Sequence, residues 1–241
     1  MLEATRRVVG QAKKFSREIA SRVKRGNRAV RVKSKKQLGA MIPRLQQVIQ
    51  QTRQRVFGGD TRVEGKIVSV FEIQTEVIRK GKAGKPTEFG KLVKIQEAEH
   101  QIVTHYEVFD QRPSDSALLT PSLERHQQQF ARAPRMAAAD AGFFSAANEA
   151  KAEQLGVQQV AVPSPSTKSP QRKQRQKKRW FQKAQRWRTG SEGRISVLKR
   201  RHGLGRCRYQ GQHGMKRWVG LGGIADNVIN IGRRLAAAAK A

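Results

Sequence analysis

Apolar residues recur at intervals of three and four through the first part of the chain. Val8, Val9, Ala12, Phe15 and Ile19 form one such run, and Leu45, Val48 and Ile49 another. This period puts them on one helix face and predicts helices within residues 1–57. Between the runs, Arg22–Lys36 is basic, contains Gly26 and shows little periodicity, which predicts a loop. Gly58, Gly59 and Asp60 close the region.

The period then shortens. Lys66–Phe71 (KIVSVF), Lys91–Ile95 (KLVKI) and Ile102–Phe109 (IVTHYEVF) are β-branched runs that predict a three-stranded meander, with a turn near Ala98–His100. Pro113, Ser114 and Asp115 stop the third strand. Ser116–Phe130 reads as a helix with Leu118, Leu119 and Leu123 on one side. Pro134 precedes a short apolar run, Met136–Ala139, that ends at Asp140. Ser145 can cap a helix to about Leu155, which Gly156 terminates, and Val157–Val162 follows as a fifth strand. The expected order is βββαβαβ, an α/β fold. Residues 163–179 (PSPSTKSPQRKQRQKKR) predict a loop or mobile arm. A helix is expected from about Trp180 to Leu204 with a break at Gly190. Another spans Met215–Leu235, weakened by four glycines.

Charge changes the picture. The 241 residues carry 50 Lys and Arg against 18 Asp and Glu, a formal net charge of +32. Such a chain repels itself unless a polyanion shares its surface, which points to nucleic acid. The acids are concentrated. Residues 1–63 hold three against 17 basic residues, residues 64–153 hold 13 against 12, and residues 154–241 hold only Glu192 and Asp226 against 21. A near-neutral centre between basic flanks suits a folded core whose surfaces track a phosphate backbone. No run approaches the length of a membrane span, the opening residues lack a signal peptide's apolar stretch, and the expected compartment is the cytoplasm, at the nucleoid. The single cysteine, Cys207, excludes a disulfide framework and a Cys-based zinc site.

Three antiparallel strands followed by two parallel ones resemble the ribonuclease-H-like fold, a mixed five-stranded sheet with flanking helices. That fold carries acids on its first strand, at the end of its fourth and on a late helix. Glu72 follows KIVSVF, with Glu76 four residues on as the alternative; Asp140 ends MAAAD; Glu192 lies in the late helix. Two Mg²⁺ ions roughly 3.5–4 Å apart could act on a phosphodiester there, and hard oxygen ligands suit them. Three neighbouring carboxylates would repel one another without such cations.

The stretch Asp140–Phe143 (DAGF), with Ser145 and Asn148, resembles the second-acid motif of DDE-type bacterial insertion-sequence transposases. Arg188–Gly203 (RTGSEGRISVLKRRHG) resembles their third-acid motif, with Arg188 four residues before Glu192 and Lys199 seven after it. The family's usual Tyr is Gln185 here, and its first Asp is replaced by Glu. Glu72–Gly81, Glu88–Gly90 and Pro113–Asp115 look like the first-acid region and meander.

The resemblance implies a DNA transposase that cuts at its element ends and joins the 3′-OH to a target. Glu72, Asp140 and Glu192 would hold two Mg²⁺ ions, with Mn²⁺ a substitute. Arg188 and Lys199 would neutralise phosphates, and Arg172, Lys173, Arg175, Lys177, Lys178 and Arg179 would track the duplex. The resemblance also implies a homo-oligomer acting on double-stranded DNA, with no membrane partner. It divides the chain into a basic helical segment, 1–60, and a catalytic domain, 61–241, with a basic loop at 163–179. Only about 60 residues precede the first expected strand, so an N-terminally truncated copy is expected. An inactive DNA-binding remnant is the alternative, and an RNA-coating protein a third reading.

Other residues have plainer readings. Asp115 reads as a helix cap. Histidines 100, 105, 126, 202 and 213 show no ligand spacing. Trp180, Trp187 and Trp218 are expected to pack the C-terminal helices rather than stack on bases. The glycines of KGKAGK (Gly81, Gly84) and HGLGR (Gly203, Gly205) form no P-loop. Cys207 reads as a small packed residue.

Overall fold

A computed structural model describes residues 2–22, 28–79 and 87–239. The chain divides into two compact units, Met1–Gly90 and Lys91–Ala241.

In the first unit, helices α1 (Leu2–Arg22) and α2 (Arg28–Phe57) pack on each other, with Val9 buried. Helix α2 runs through Arg28–Lys36, where a loop was expected; the glycine of that stretch, Gly26, lies outside the described residues. Lys and Arg are good helix formers, and a solvated helix turn needs no apolar period. Val30 and Val32 are accordingly exposed.

KIVSVF is not a strand. Gln51 of α2 instead donates to the Ile67 carbonyl at 2.7 Å and accepts from the Ile67 N–H at 3.0 Å, while Arg44 donates to the Val70 carbonyl. At Ile67 the side-chain amide thus takes the place of a partner strand, meeting both backbone groups of that residue without a ladder. The strands of this unit are β1 (Glu76–Arg79) and β2 (Thr87–Gly90), paired antiparallel with Glu76 opposite Gly90. Gly81 and Gly84 lie outside the described residues.

In the second unit, β3 (Val93–Ala98) and β4 (Ile102–Val108) pair antiparallel, and His100 and Gln101 have positive φ in the tight turn between them. Helix α3 (Leu119–Phe130) leads to β5 (Met136–Ala138), α4 (Ala146–Gln154) and β6 (Gln159–Ala161). Strands β5 and β6 are parallel, with Ala137 opposite Val160. Leu119, Leu123, Ala152, Val157, Val160 and Val162 form the core around them. Ser145 caps α4 as expected, accepting from the Asn148 N–H at 3.0 Å, and Gly156 follows at φ +90°.

Helices α5 (Pro170–Lys177), α6 (Arg179–Arg201) and α7 (Gly211–Ala238) complete the unit. The expected loop at 163–179 therefore contains a helix, Pro170–Lys177. Ser169 caps α5, Pro170 occupies its first turn, and Arg172 and Arg175 share one face that meets Glu149 and Glu153 of α4. Helix α6 continues through Gly190 without the expected break. Buried Phe181 and Ala184 on one side of Gly190, and Arg194 and Leu198 on the other, anchor both halves. The local cost of that glycine is only about 1 kcal/mol.

The described strands form three two-stranded sheets, not one five-stranded mixed sheet. Helix α7 shows one reason. Asn227 accepts from the Val103 N–H and donates to the Val103 carbonyl, both at 2.8 Å, and Gln212 donates to the Val108 carbonyl at 3.0 Å. Side-chain amides thus occupy backbone groups of β4 that a further strand would use. The glycines expected to weaken α7 allow this approach: a Cβ on Gly220 would lie 2.4 Å from the Tyr106 hydroxyl, and one on Gly222 2.1 Å from Leu204.

Candidate active site

Strand β5 ends at Ala138, and Asp140 sits just beyond it at the start of a 3-10 turn, Ala141–Phe143. Its carboxylate does not cap that turn. It points to α6, where Arg188 Nη2 lies 2.5 Å from Asp140 Oδ1. The same nitrogen lies 3.1 Å from Glu192 Oε1, one helical turn on. Because both oxygens reach one atom, at 2.5 and 3.1 Å, they are at most 5.6 Å apart. Two of the three acids chosen from the sequence therefore meet at one guanidinium. Both side chains are open to solvent, at 53% and 65% exposure.

Several contacts hold the Asp140 turn. Gly142 lies flat against Asp115, where an added Cβ would fall 2.8 Å from the carboxylate. Asn148 donates to the Ser116 and Phe143 carbonyls at 2.6 and 3.0 Å, tying the 115–118 turn to the 141–143 turn. Asp115 is thus the first residue of a 3-10 turn packed on Gly142, not a side-chain cap. On the α6 side, Gln185 donates its amide to the Ala139 and Ala161 carbonyls at the ends of β5 and β6. Gln185 therefore ties α6 to both strand ends.

A buried polar cluster fixes the other half of α6. Arg194, two residues after Glu192, reaches Asp226 Oδ2 of α7 at 2.9 Å and also contacts Gln101. Asp226, only 1% exposed, accepts from Asn230 at 3.1 Å and lies 3.1 Å from His202. Glu97 stands 3.9 Å from Arg194; burial holds its carboxyl above the usual range, against the opposing pull of Arg194. Sequence reasoning missed this cluster. Its visible signal was Asp226 itself, one of two acids in a basic third of the chain.

The basic residues divide into two groups. Arg172 pairs with Glu149, donates to the Val162 carbonyl at 2.7 Å and stacks over Phe144 at 3.9 Å. Arg175 reaches Glu149 and Glu153 at 3.4 and 3.3 Å. Lys173, Lys177, Lys178, Arg179 and Lys199 are exposed. Beyond Lys199, a cavity of about 710 Å³ is lined by Lys199, Arg206, Arg208, Gly203, Gly205 and Cys207. Trp180 packs against Phe181, Trp218 donates to the Gly203 carbonyl at 3.1 Å, and Trp187 is 36% exposed.

Glu72 belongs to the other compact unit. Its backbone N–H donates to the Ser69 hydroxyl, and its carbonyl accepts from Thr75, so it begins a turn after KIVSVF. Glu76 opens β1. Among the described residues, no three His, Cys, Asp or Glu side chains form a metal-holding group. The Asp140–Glu192 pair alone offers exposed oxygen donors of the kind Mg²⁺ takes while keeping several waters. To that extent the pair fits the ion.

A strand-end acid and a helix-borne acid thus meet at a shared arginine, beside a basic helical face, in an α/β protein. Residues 148–232, from α4 into α7, match the family model described as Transposase DDE domain. The matched stretch contains Arg188, Glu192 and Lys199 and begins after Asp140. No curated protein and no solved structure gives a significant match. No described helix is long and apolar enough to cross a membrane.

Proposed function

We propose that the chain cuts phosphodiester bonds at the ends of an insertion sequence and joins the freed 3′-OH to target DNA. The observation that carries this reading is the meeting of Asp140 and Glu192 at Arg188. Asp140 and Glu192 would hold the divalent ion, with Glu72, or Glu76 in its place, as the third carboxylate. Bound there, Mg²⁺ or Mn²⁺ supplies Lewis-acid stabilisation of charge on the scissile phosphate. In this reading the protein works at the nucleoid.

The chain's own residues do the rest. Arg188 and Lys199 flank Glu192 on α6 and bind backbone phosphates on either side of the cut. Exposed Lys173, Lys177, Lys178 and Arg179 track the duplex, and the basic cavity beyond Lys199 extends that track. Arg172 and Arg175 act one step back, holding α5 on α4 through Glu149 and Glu153. Gln185 keeps α6 on the strand ends.

The test joins a salt titration of duplex binding to a cleavage assay on the element's own ends with Mg²⁺ or Mn²⁺. With six to ten phosphates engaged, affinity falls roughly 10³–10⁵-fold between about 50 and 200 mM salt. A flat titration, or preference for RNA, rules out the duplex reading. Salt-dependent binding without any cleavage leaves the inactive DNA-binding remnant.

A further inference from the structure

Helix α6 carries two arginines in opposite surroundings. Arg194 is 7% exposed and is held by Asp226 at 2.9 Å, by Gln101 and, at 3.9 Å, by Glu97. Taking it off those partners would strand a buried charge, so it stays in place. Among the described residues, the ion pairs of Arg188 go instead to Asp140 and Glu192, whose side chains are 53% and 65% exposed. Pairs open to solvent are weak, so this guanidinium can leave at little cost.

Arg188 sits where a competing cation would matter. Its Nη2 touches one oxygen of each acid, 2.5 Å from Asp140 Oδ1 and 3.1 Å from Glu192 Oε1. Mg²⁺ takes carboxylate oxygens at about 2.0–2.1 Å, so an ion on Asp140 Oδ1 would stand within about 4.6 Å of that nitrogen on any approach. A guanidinium and a divalent ion together bring three positive charges, and two carboxylates balance only two of them. At such short range the surplus is repulsive.

We propose that Arg188 and the divalent ion are alternative occupants of the Asp140–Glu192 pair, and that the ion's arrival frees Arg188 to bind a DNA phosphate. This rests on the reading of those two acids as the ion's ligands. Arg188, Glu192 and Lys199 follow one another at four and seven residues, on one face of α6. A guanidinium released from the acids therefore stays on the face where Lys199 is exposed. Ion and duplex then assist each other. A phosphate that takes Arg188 uncovers the carboxylates, and an ion that takes the carboxylates releases Arg188. The coupling is reciprocal by linkage, so the chain holds the ion weakly until DNA is bound.

Mn²⁺ binding to the full chain without DNA, read from the free-ion signal in electron paramagnetic resonance, tests the competition. Arg188→Ala should bind Mn²⁺ roughly three- to tenfold more tightly than the unaltered chain, the range that solvent-open pairs permit. Arg186→Ala removes another exposed charge of α6 and should change the affinity less than about twofold, because salt screens it. In the unaltered chain, which needs no variant to fold, Mg²⁺ should move the Arg188 side-chain N–H signal in NMR toward that of a free guanidinium. A purely electrostatic effect of the lost charge would leave that signal in place. The affinity deficit of Arg188→Ala for a short duplex should also be larger in Mg²⁺ than in EDTA, a comparison in which the ion's own screening of DNA cancels. Equal or weaker Mn²⁺ binding by Arg188→Ala, or an Arg188 signal unmoved at saturating Mg²⁺, overturns the proposal and leaves the acids as ion ligands. Asp140→Asn and Glu192→Gln variants that bind Mn²⁺ as well as the unaltered chain overturn the ligand reading itself, and this inference with it.

Discussion

Arg188 of α6 lies 2.5 Å from the Asp140 carboxylate beyond β5, and this contact joins the late helix to the strand end. Because Arg188 also reaches Glu192, one cation is shared between two acids. Arg188→Ala should reduce the slope of log affinity against log salt by about 1, the signature of one lost phosphate contact. Thermal stability should barely change, since the pairs are open to solvent and such pairs contribute about 0–1 kcal/mol. An unchanged slope in a duplex titration would remove Arg188 from the DNA contact.

Asp140→Ala and Glu192→Ala should each abolish metal-dependent strand cleavage while duplex affinity stays close to that of the unaltered chain. Glu72→Gln should be as damaging as these, and Glu76→Gln mild. Cleavage assays with gel-shift controls read both; the reverse order would give the third position to Glu76.

Gln185→Ala removes two hydrogen bonds to the Ala139 and Ala161 carbonyls and should lower stability by roughly 1–2 kcal/mol in urea unfolding. Cleavage should fall more than DNA affinity, because the exposed lysines Lys173, Lys177 and Lys178 do not depend on this amide.

Asp226→Ala leaves Arg194 buried without its carboxylate. Breaking a buried pair in this way costs about 3–5 kcal/mol, so the urea midpoint should drop further than for any surface carboxylate.

Burial raises the Glu97 pKa above its ordinary value of 4.5, so the folded state holds this proton more tightly than the unfolded chain. The stabilisation is complete below about pH 4.5 and is lost as pH rises through the folded value. Glu97→Gln should therefore gain stability relative to the unaltered chain as pH rises. Burial lowers His105 and His126 below 6.5, so their contribution is present above that pH and is lost as pH falls. Unfolding midpoints across pH 4–8 separate the two wings, and a pH-independent difference for Glu97→Gln would exclude the first.

Local chemistry determined much of this protein by itself. Ser145 and Gly156 bound α4 because a capping hydroxyl and a left-handed glycine act within one turn. Asp140 and Glu192 were legible as a pair through the spacing of DAGF and RTGSEGRISVLK. The helix at 170–177 was not, because its Pro, Ser and Lys content reads as a loop until Glu149 and Glu153 of another helix supply counter-charge. Only the tertiary structure decided which polar side chains replace strands: Gln51 on Ile67 and Asn227 on Val103 lie far apart in sequence and carry no periodic signal. The same holds for α7, whose apolar Leu221, Ile224, Val228, Ile231 and Leu235 are exposed. Glycines that admit Tyr106 and Leu204, and an aspartate that takes Arg194, turn its polar side inward, because an unmet buried arginine or strand edge costs more than an exposed leucine.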